Sequence, residues 1–468
     1  MKSLIAADGQ ERCPVRPGSP TNWWRPVVNT EREMRSGLPT VSEIEHRDSA
    51  APFWALMAFT FILFISPQSF LTALAPLRLA LVAAVLAVLT YLFDRLVHHR
   101  PVLEFTREIV IAACLLGWAI LTLPLSYWPG GSLGVLLDIY FKTLIVFWLL
   151  GHVVNTVPRL RLIAWGLSLM AVPLALTALA NLASGNYLQQ GFAPEASRIL
   201  GYNAPLTGNP NDLALTLNLI LPLSVALFLC VRKPAARAAL LACICLDAIA
   251  IIATFSRAGF LTLGVTFVAY LWALFKRGQR HWAFLALFLV LASVPLLPSG
   301  YMDRLSTITD IEADPTGSAQ ARWGDTLAAV KYVAYHPIVG VGLGMDTLAL
   351  NEVRGPVWKE IHNVYLQYAV DLGIPGLILF LMLLTGCLKS ARDAQRRSVQ
   401  ESVLGELFYL AEGIRISLIA FAVAAFFHPV AYHFYFYYIA GLALAAGTIN
   451  VSSERKYDRR LLRRHETT

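Results

Sequence analysis

Three stretches of this chain hold a cation or a titratable ring where it has little room to move. The first is Thr254-Phe255-Ser256-Arg257-Ala258-Gly259-Phe260, with Arg257 between two apolar runs too close together for anything but a tight turn. A guanidinium near a bilayer is costly unless an anion answers it, and its planar fork matches phosphate geometry. The second is Arg198 upstream of Asn209-Pro210-Asn211-Asp212. Asn209 before Pro210 reads as a helix start, with an N-cap side chain and proline at the first helical position. The free amides and positive dipole end there make either an ordinary cap or an anion site. The third is Glu360-Ile361-His362-Asn363-Val364-Tyr365-Leu366-Gln367, expected to lie on a helix packed toward the bilayer. There the imidazole of His362 could accept a hydroxyl proton near neutrality. Cations and an imidazole on one face point to chemistry on an anionic, lipid-linked substrate.

The elements that must hold these residues are membrane helices. Of 468 residues, 57% are hydrophobic and 15% charged, with a mean hydropathy of +0.58. A soluble domain carries about 25% charged residues. Apolar windows lie near 52–70, 77–93, 109–126, 133–153, 160–182, 211–231, 238–255, 258–275, 282–297, 374–388, 414–428 and 433–450. Most approach the roughly 20 residues that span a bilayer. Twelve spans put both termini on one side. The even-numbered connections and the two tails hold 28 of the 38 Lys and Arg, which makes that side cytoplasmic. The net charge of +8 is therefore a topology signal and not a nucleic-acid footprint. The odd connections keep Arg78, Arg198, Arg257, Arg304, Arg322, Lys331, Arg354 and Lys359. Arg78 reads as snorkelling to headgroups, Arg304 and Arg354 as solvated loop charges.

The expected layout is a disordered cytoplasmic tail over 1–51, spans one to nine over 52–297, a large outer loop over 298–373, spans ten to twelve over 374–450 and a basic tail over 451–468. Within the loop Trp323, Leu327 and Val330 recur near period 3.6, and 361–372 is again helical. Between them His336-Pro337-Ile338-Val339-Gly340-Val341-Gly342-Leu343-Gly344 reads as a glycine-rich turn segment, and Gly373-Ile374-Pro375-Gly376 breaks the helix before span ten. The fold class is all-α and polytopic, with about twelve membrane helices, surface helices between spans nine and ten, and no sheet. Asp138 and Lys142, four apart in span four, are expected as a buried pair. Asp247 in span seven should orient a neighbour or line a small polar cavity. His433-Phe434-Tyr435-Phe436-Tyr437-Tyr438 is an interfacial aromatic belt, with a sugar or lipid groove as the other reading. The six cysteines show no metal-ligand spacing and read as buried small hydrophobes. No Asp-x-Asp diphosphate–metal motif lies outside, and there is no HExxH or phosphate-binding glycine loop. A mechanism without metal or cofactor is the default expectation.

In this order the residues resemble the O-antigen ligase-related family: lipopolysaccharide O-antigen ligases, Wzy-type polymerases and protein O-oligosaccharyltransferases. The resemblance runs from about Arg198 to about Leu388. It rests on Arg198 with Gly208-Asn209-Pro210-Asn211, on Ser256-Arg257-Ala258-Gly259, on Arg322-Trp323 with His336-Pro337-Ile338-Val339-Gly340-Val341-Gly342, and on His362-Asn363-Val364-Tyr365-Leu366-Gln367 leading to Gly373-Ile374-Pro375-Gly376. It implies a GT-C-like membrane glycosyltransferase in a bacterial inner membrane, inverting and metal-independent, acting on the periplasmic face. The implied donor is an undecaprenyl-diphosphate-linked glycan, with Arg198 and Arg257 on its diphosphate and Arg322 as a further phosphate or acceptor contact. His362 would activate or orient the acceptor hydroxyl. Asn363, Asn209, Asn211, Lys331 and Tyr365 are secondary candidates. A lipid A-core acceptor makes the chain a ligase, which the layout of spans favours. A Wzy-type polymerase and a protein O-oligosaccharyltransferase share the donor. A lipid-linked glycan transporter would instead need charges facing a midplane cavity, and the outer polar cluster outweighs Asp138, Lys142 and Asp247. Other partners are membrane lipids and no nucleic acid; the oligomeric state stays open.

Overall fold

The computed structural model describes residues 49–188, 198–296, 317–356, 358–400 and 404–449. Both tails and the first part of the large loop, with Arg304, lie outside them. In chain order the helices are α1 (Ala51–Ile65), α2 (Leu79–Val97), α3 (Arg107–Thr122), α4 (Pro129–Val135), α5 (Phe141–Val153), α6 (Val157–Ser184), α7 (Pro210–Cys230), α8 (Pro234–Ala253) and α9 (Arg257–Lys276). They continue with α10 (Arg280–Ser293), α11 (Ser318–Tyr335), α12 (Asp346–Arg354), α13 (Val364–Gln400), α14 (Gly405–Ala424) and α15 (Phe434–Thr448). Among the described residues ten helical stretches are long and apolar enough to cross a membrane, one of them α4 and α5 joined through a π segment, Leu136–Tyr140. The ninth and twelfth windows fall on shorter apolar helices, Arg280–Ala292 and Phe434–Thr448. The chain is an all-α, multi-pass membrane protein. One feature departs from the expectation of helix alone. A short antiparallel ladder pairs β1 (Tyr187–Leu188) with β2 (Arg198–Ile199), in the register Leu188↔Arg198. Two residues per strand leave no alternation to read in a sequence.

Helix ends alternate between two faces of the bundle. The site face carries the start of α7, the α8–α9 turn and the α14–α15 loop, tied together as described below. α7 is apolar around its whole circumference, so it sits in the middle, packed on α6, α8, α9 and α14. α2, by contrast, leaves Val82, Leu86, Leu89 and Phe93 exposed to the surroundings. α9 can approach α7 because position 259 is glycine: a Cβ there would lie 2.7 Å from Ala214 Cβ. Asn218 on α7 fastens the approach, donating to Ala214 O at 2.8 Å and Gly259 O at 3.1 Å.

α13 carries the main kink. Gly373, at φ 70°, leaves helical geometry inside it, and Ile374 N donates instead to Pro337 O at 2.8 Å. The glycine-rich segment is thereby laid along α13, with Val341 N on Val370 O and Gly342 N on Asp371 O. Gly342, at φ 104°, adopts a conformation that side chains disfavour. α11 and α12 form a small second core with this segment, built from Ala328, Ala329, Val341, Met345, Ala349, Leu350, Ile361 and Val370.

Two expectations about charges need correction. Arg354 is not a solvated loop charge: its guanidinium pairs with Asp325, both side chains only 9% exposed, which locks α12 to α11. Asp138 and Lys142 do pair, at 3.5 Å, but they are 79% and 46% exposed. Leu136 and Tyr140 take the packed side of that turn and leave the charged pair on the outer one.

Candidate functional site

Asn211 organises the first half of the site. Asn209 caps α7, its Oδ1 accepting from Asn211 N at 2.9 Å, as the Asn-Pro pair foretells. That cap aims the Asn211 side chain at two other elements. Its Oδ1 accepts from Arg198 Nη2 at 2.5 Å and from Ser256 Oγ at 2.8 Å. A guanidinium only donates, so the atom facing it must be the amide oxygen. Arg198 reaches this point because the ladder with β1 holds it, and it is buried. Ser256 is the N-cap of α9, its Oγ also accepting from Gly259 N at 3.1 Å. Arg257, next in the chain, is thus the first residue of α9 and half-buried at the same helix mouth. The α8–α9 turn is as tight as the sequence requires. It puts Phe255 at φ 51°, a left-handed conformation that costs a side-chain-bearing residue about 1 kcal/mol. Two helix N-termini and the Arg198 guanidinium therefore gather around one amide, with Arg257 one residue along from Ser256.

The second half comes from α11, from the loop before α13 and from the loop after α14. His362 and Asn363 are not helical, contrary to expectation. Asn363 is the cap of α13, its Oδ1 accepting from Tyr365 N at 2.9 Å and Leu366 N at 3.2 Å, so the helix starts at Val364 and His362 stays in the preceding loop. Val364 N is held by Ala425 O at 2.8 Å. The His362 ring nitrogen Nδ1 lies 3.0 Å from Glu360 O, a carbonyl that can only accept. Nδ1 therefore carries the proton, and Nε2 keeps its lone pair. Burial, then the guanidinium of Arg322, push the imidazole down to about 4, with His428 and Lys359 adding to it. It is neutral at pH 7.

His428 joins the two halves. Buried in the α14–α15 loop, it places Nδ1 2.9 Å from Ala424 O and Nε2 3.3 Å from Asn211 O. Burial holds its pKa below the usual imidazole value, and both Arg322 and Arg198 act in the same direction. Charge on Arg322 is thus felt at His362 and at His428, and charge on Arg198 at His428. Glu360 adds a carboxyl pushed up to about 7, first by burial and then by Asp346 and Asp212. Asp212 is the third residue of α7.

The structure thus brings together Arg198, Asn209, Asn211, Ser256 with Arg257, Arg322 and His362. Tyr365 stands behind them: its hydroxyl donates to Ala422 O at 2.6 Å and its ring meets Phe426, so it fastens α13 to α14. Lys331 lies exposed on α11, about 14 Å along the helix from Arg322 at 1.5 Å per residue. Asp247 is fully buried in α8, with neither carboxylate oxygen hydrogen-bonded among the described residues. It belongs to no polar cluster of the site face. Sequence reasoning missed His428, and gave Glu360 and Asp212 no role of their own although both stand in the stretches it singled out. His428 ahead of Pro429, at the end of an apolar run, was the one available signal. Among the described residues no three His, Cys, Asp or Glu side chains gather as a metal-binding group.

The arrangement can seat an anion between two helix N-termini and two arginines, with a neutral imidazole of fixed tautomer beside it. No curated protein matches the chain. Residues 219–381 match the family model described as Wzy_C, O-antigen ligase, a stretch that holds Arg257, Arg322 and His362. Over that stretch this multi-pass membrane protein is similar to the O-antigen ligase family.

Proposed function

We propose that the chain is an O-antigen ligase of a bacterial inner membrane, with both termini cytoplasmic and the site face periplasmic. It moves a glycan from undecaprenyl diphosphate to the lipid A-core oligosaccharide. The observation that carries this reading is the Asn211 hub, which gathers Arg198 and the cap of Arg257's helix beside His428 and His362. The donor diphosphate lies against Arg198 and Arg257, with Arg322 as a further phosphate or acceptor contact. The acceptor hydroxyl oxygen attacks the anomeric carbon from the side opposite the diphosphate, so the configuration inverts. The new C–O bond forms as the bond to diphosphate breaks. The leaving group keeps the electron pair, and its charge develops against fixed guanidinium groups, the kind of electrostatic stabilisation that often dominates rate. The hydroxyl proton passes to Nε2 of His362, which is neutral at working pH and oriented by Glu360 O.

The test is the lipopolysaccharide of a strain lacking this protein. Bare core, with long glycan accumulating on the polyprenyl carrier, is the expected result. Core bearing a single repeat assigns a Wzy-type polymerase. An unchanged ladder overturns the reading and moves the acceptor to exopolysaccharide or to protein.

A further inference from the structure

α11 is built with its apolar side outward. Trp323, Leu327 and Val330 follow one another at helical spacing and are 56%, 54% and 53% exposed, and Ala334 continues the stripe. The opposite side of the helix is packed, and it is there that the charged Asp325 lies, buried against Arg354. A stripe of this kind facing water is unfavourable, at about 25 cal/mol per Å² of apolar surface, and large exposed apolar patches mark contact surfaces.

Both ends of α11 lie level with the ends of membrane spans. At the start, Arg322 acts on His362 and on His428, and His428 Nε2 lies 3.3 Å from the main-chain oxygen of Asn211 in the first turn of α7. At the end, Pro337 O accepts from Ile374 N, where the apolar run of α13 begins, and Ile338 is 65% exposed beside it. Ile374 and Ile378 continue the exposed apolar surface down that span. From Arg322 to Tyr335 the helix is about 20 Å long at 1.5 Å per residue. A rod with both ends at span level lies along the site face and does not stand away from it. Trp323 and Tyr335 mark its two ends, and exposed Lys331 flanks the stripe. Aromatic ends with a lysine at the flank suit the headgroup region of a membrane.

We propose that the outward face of α11 is seated in the bilayer leaflet on the site face, as a membrane-interface helix that sets the height of Arg322 over the lipid. This goes beyond the transfer reaction and does not depend on it. A photoreactive benzoylphenylalanine placed at Leu327 or at Val330 of the full chain, in nanodiscs of phosphatidylethanolamine and phosphatidylglycerol, tests it by intact mass after irradiation. Lipid adducts at a yield within about threefold of the same probe at Ile378 are expected for an interface-seated helix. Absence of adduct at both positions, or cross-links to residues 297–316 or to a second copy of the chain, overturns the proposal. A probe at Trp323, itself aromatic, repeats the test with the least change in side-chain size.

Discussion

The two halves of the site are built by opposite means. The α7–α9 cradle rests on helix starts: caps at Asn209 and Ser256, a three-residue turn, and one glycine that lets two helices touch. The α11–α13 layer is held by single side-chain pairings between its helices and loops. Arg354 meets Asp325, Ile361 N donates to Asp346 Oδ2 at 2.8 Å, and Gly344 N donates to Asp371 Oδ2 at 2.9 Å. The cradle fixes where a charge sits, because a helix N-terminus cannot be moved without unwinding the helix. The layer fixes where His362 sits, through contacts that can fail one at a time. Damage to the cradle should therefore appear first as lost chemistry, and damage to the layer first as lost stability.

The largest expected effect is on the cradle. Arg257→Ala should lower transfer by about 10²–10³-fold, the range for removing one fixed donor at a developing anion, with normal membrane levels on an immunoblot. Arg257→Lys should also be poor, since an ammonium does not reproduce the fork. His362→Ala is expected to match that loss in the same ligation assay. Full activity in either alanine variant removes that residue from the mechanism.

Next comes the layer. Arg354→Ala leaves Asp325 buried without its partner, which typically costs about 3–5 kcal/mol, read as a lower unfolding midpoint in detergent. The double variant Arg354→Met with Asp325→Leu should recover most of that midpoint. If Arg354→Ala unfolds like the wild type, the buried pair does not hold the layer.

A smaller effect separates charge from shape within the cradle. Asn211→Asp keeps an oxygen for Arg198 and Ser256 but sets a carboxylate where the diphosphate should bind. We expect KM for the donor to rise about tenfold, roughly 1.4 kcal/mol, with the unfolding midpoint held. A fall in kcat with KM unchanged would place the donor elsewhere.

The smallest and sharpest test is pH. With His362 as the proton acceptor, the acid limb of the rate profile falls near its value of about 4, and a limb near 7 transfers the role to Glu360. Stability follows the same shifts. Between the ordinary imidazole value of 6.5 and about 4 the unfolded chain binds a proton that folded His362 refuses. That contribution is complete above 6.5 and is lost as pH falls toward 4. Glu360 runs the other way. Its raised carboxyl favours the folded state at low pH, and the contribution fades as pH rises through about 7.

The sequence by itself determined the membrane architecture. Hydropathy over a span-length window and period-3.6 recurrence are sums over neighbouring residues, so no partner need be known to read them. The same holds for the cap at Asn209 and the tight turn that presents Arg257, each a matter of three or four consecutive residues. Asn363 shows the limit: it is as good a cap as Asn209, yet the helical pattern around it hid where the helix starts. Only tertiary structure decided that Arg198, Ser256 and His428 meet at Asn211, that Arg354 is buried against Asp325, and that the apolar stripe of α11 faces outward. Those outcomes depend on which helix packs beside which. Burial, which moves His362 to about 4 and Glu360 to about 7, is a property of that packing and of no single segment.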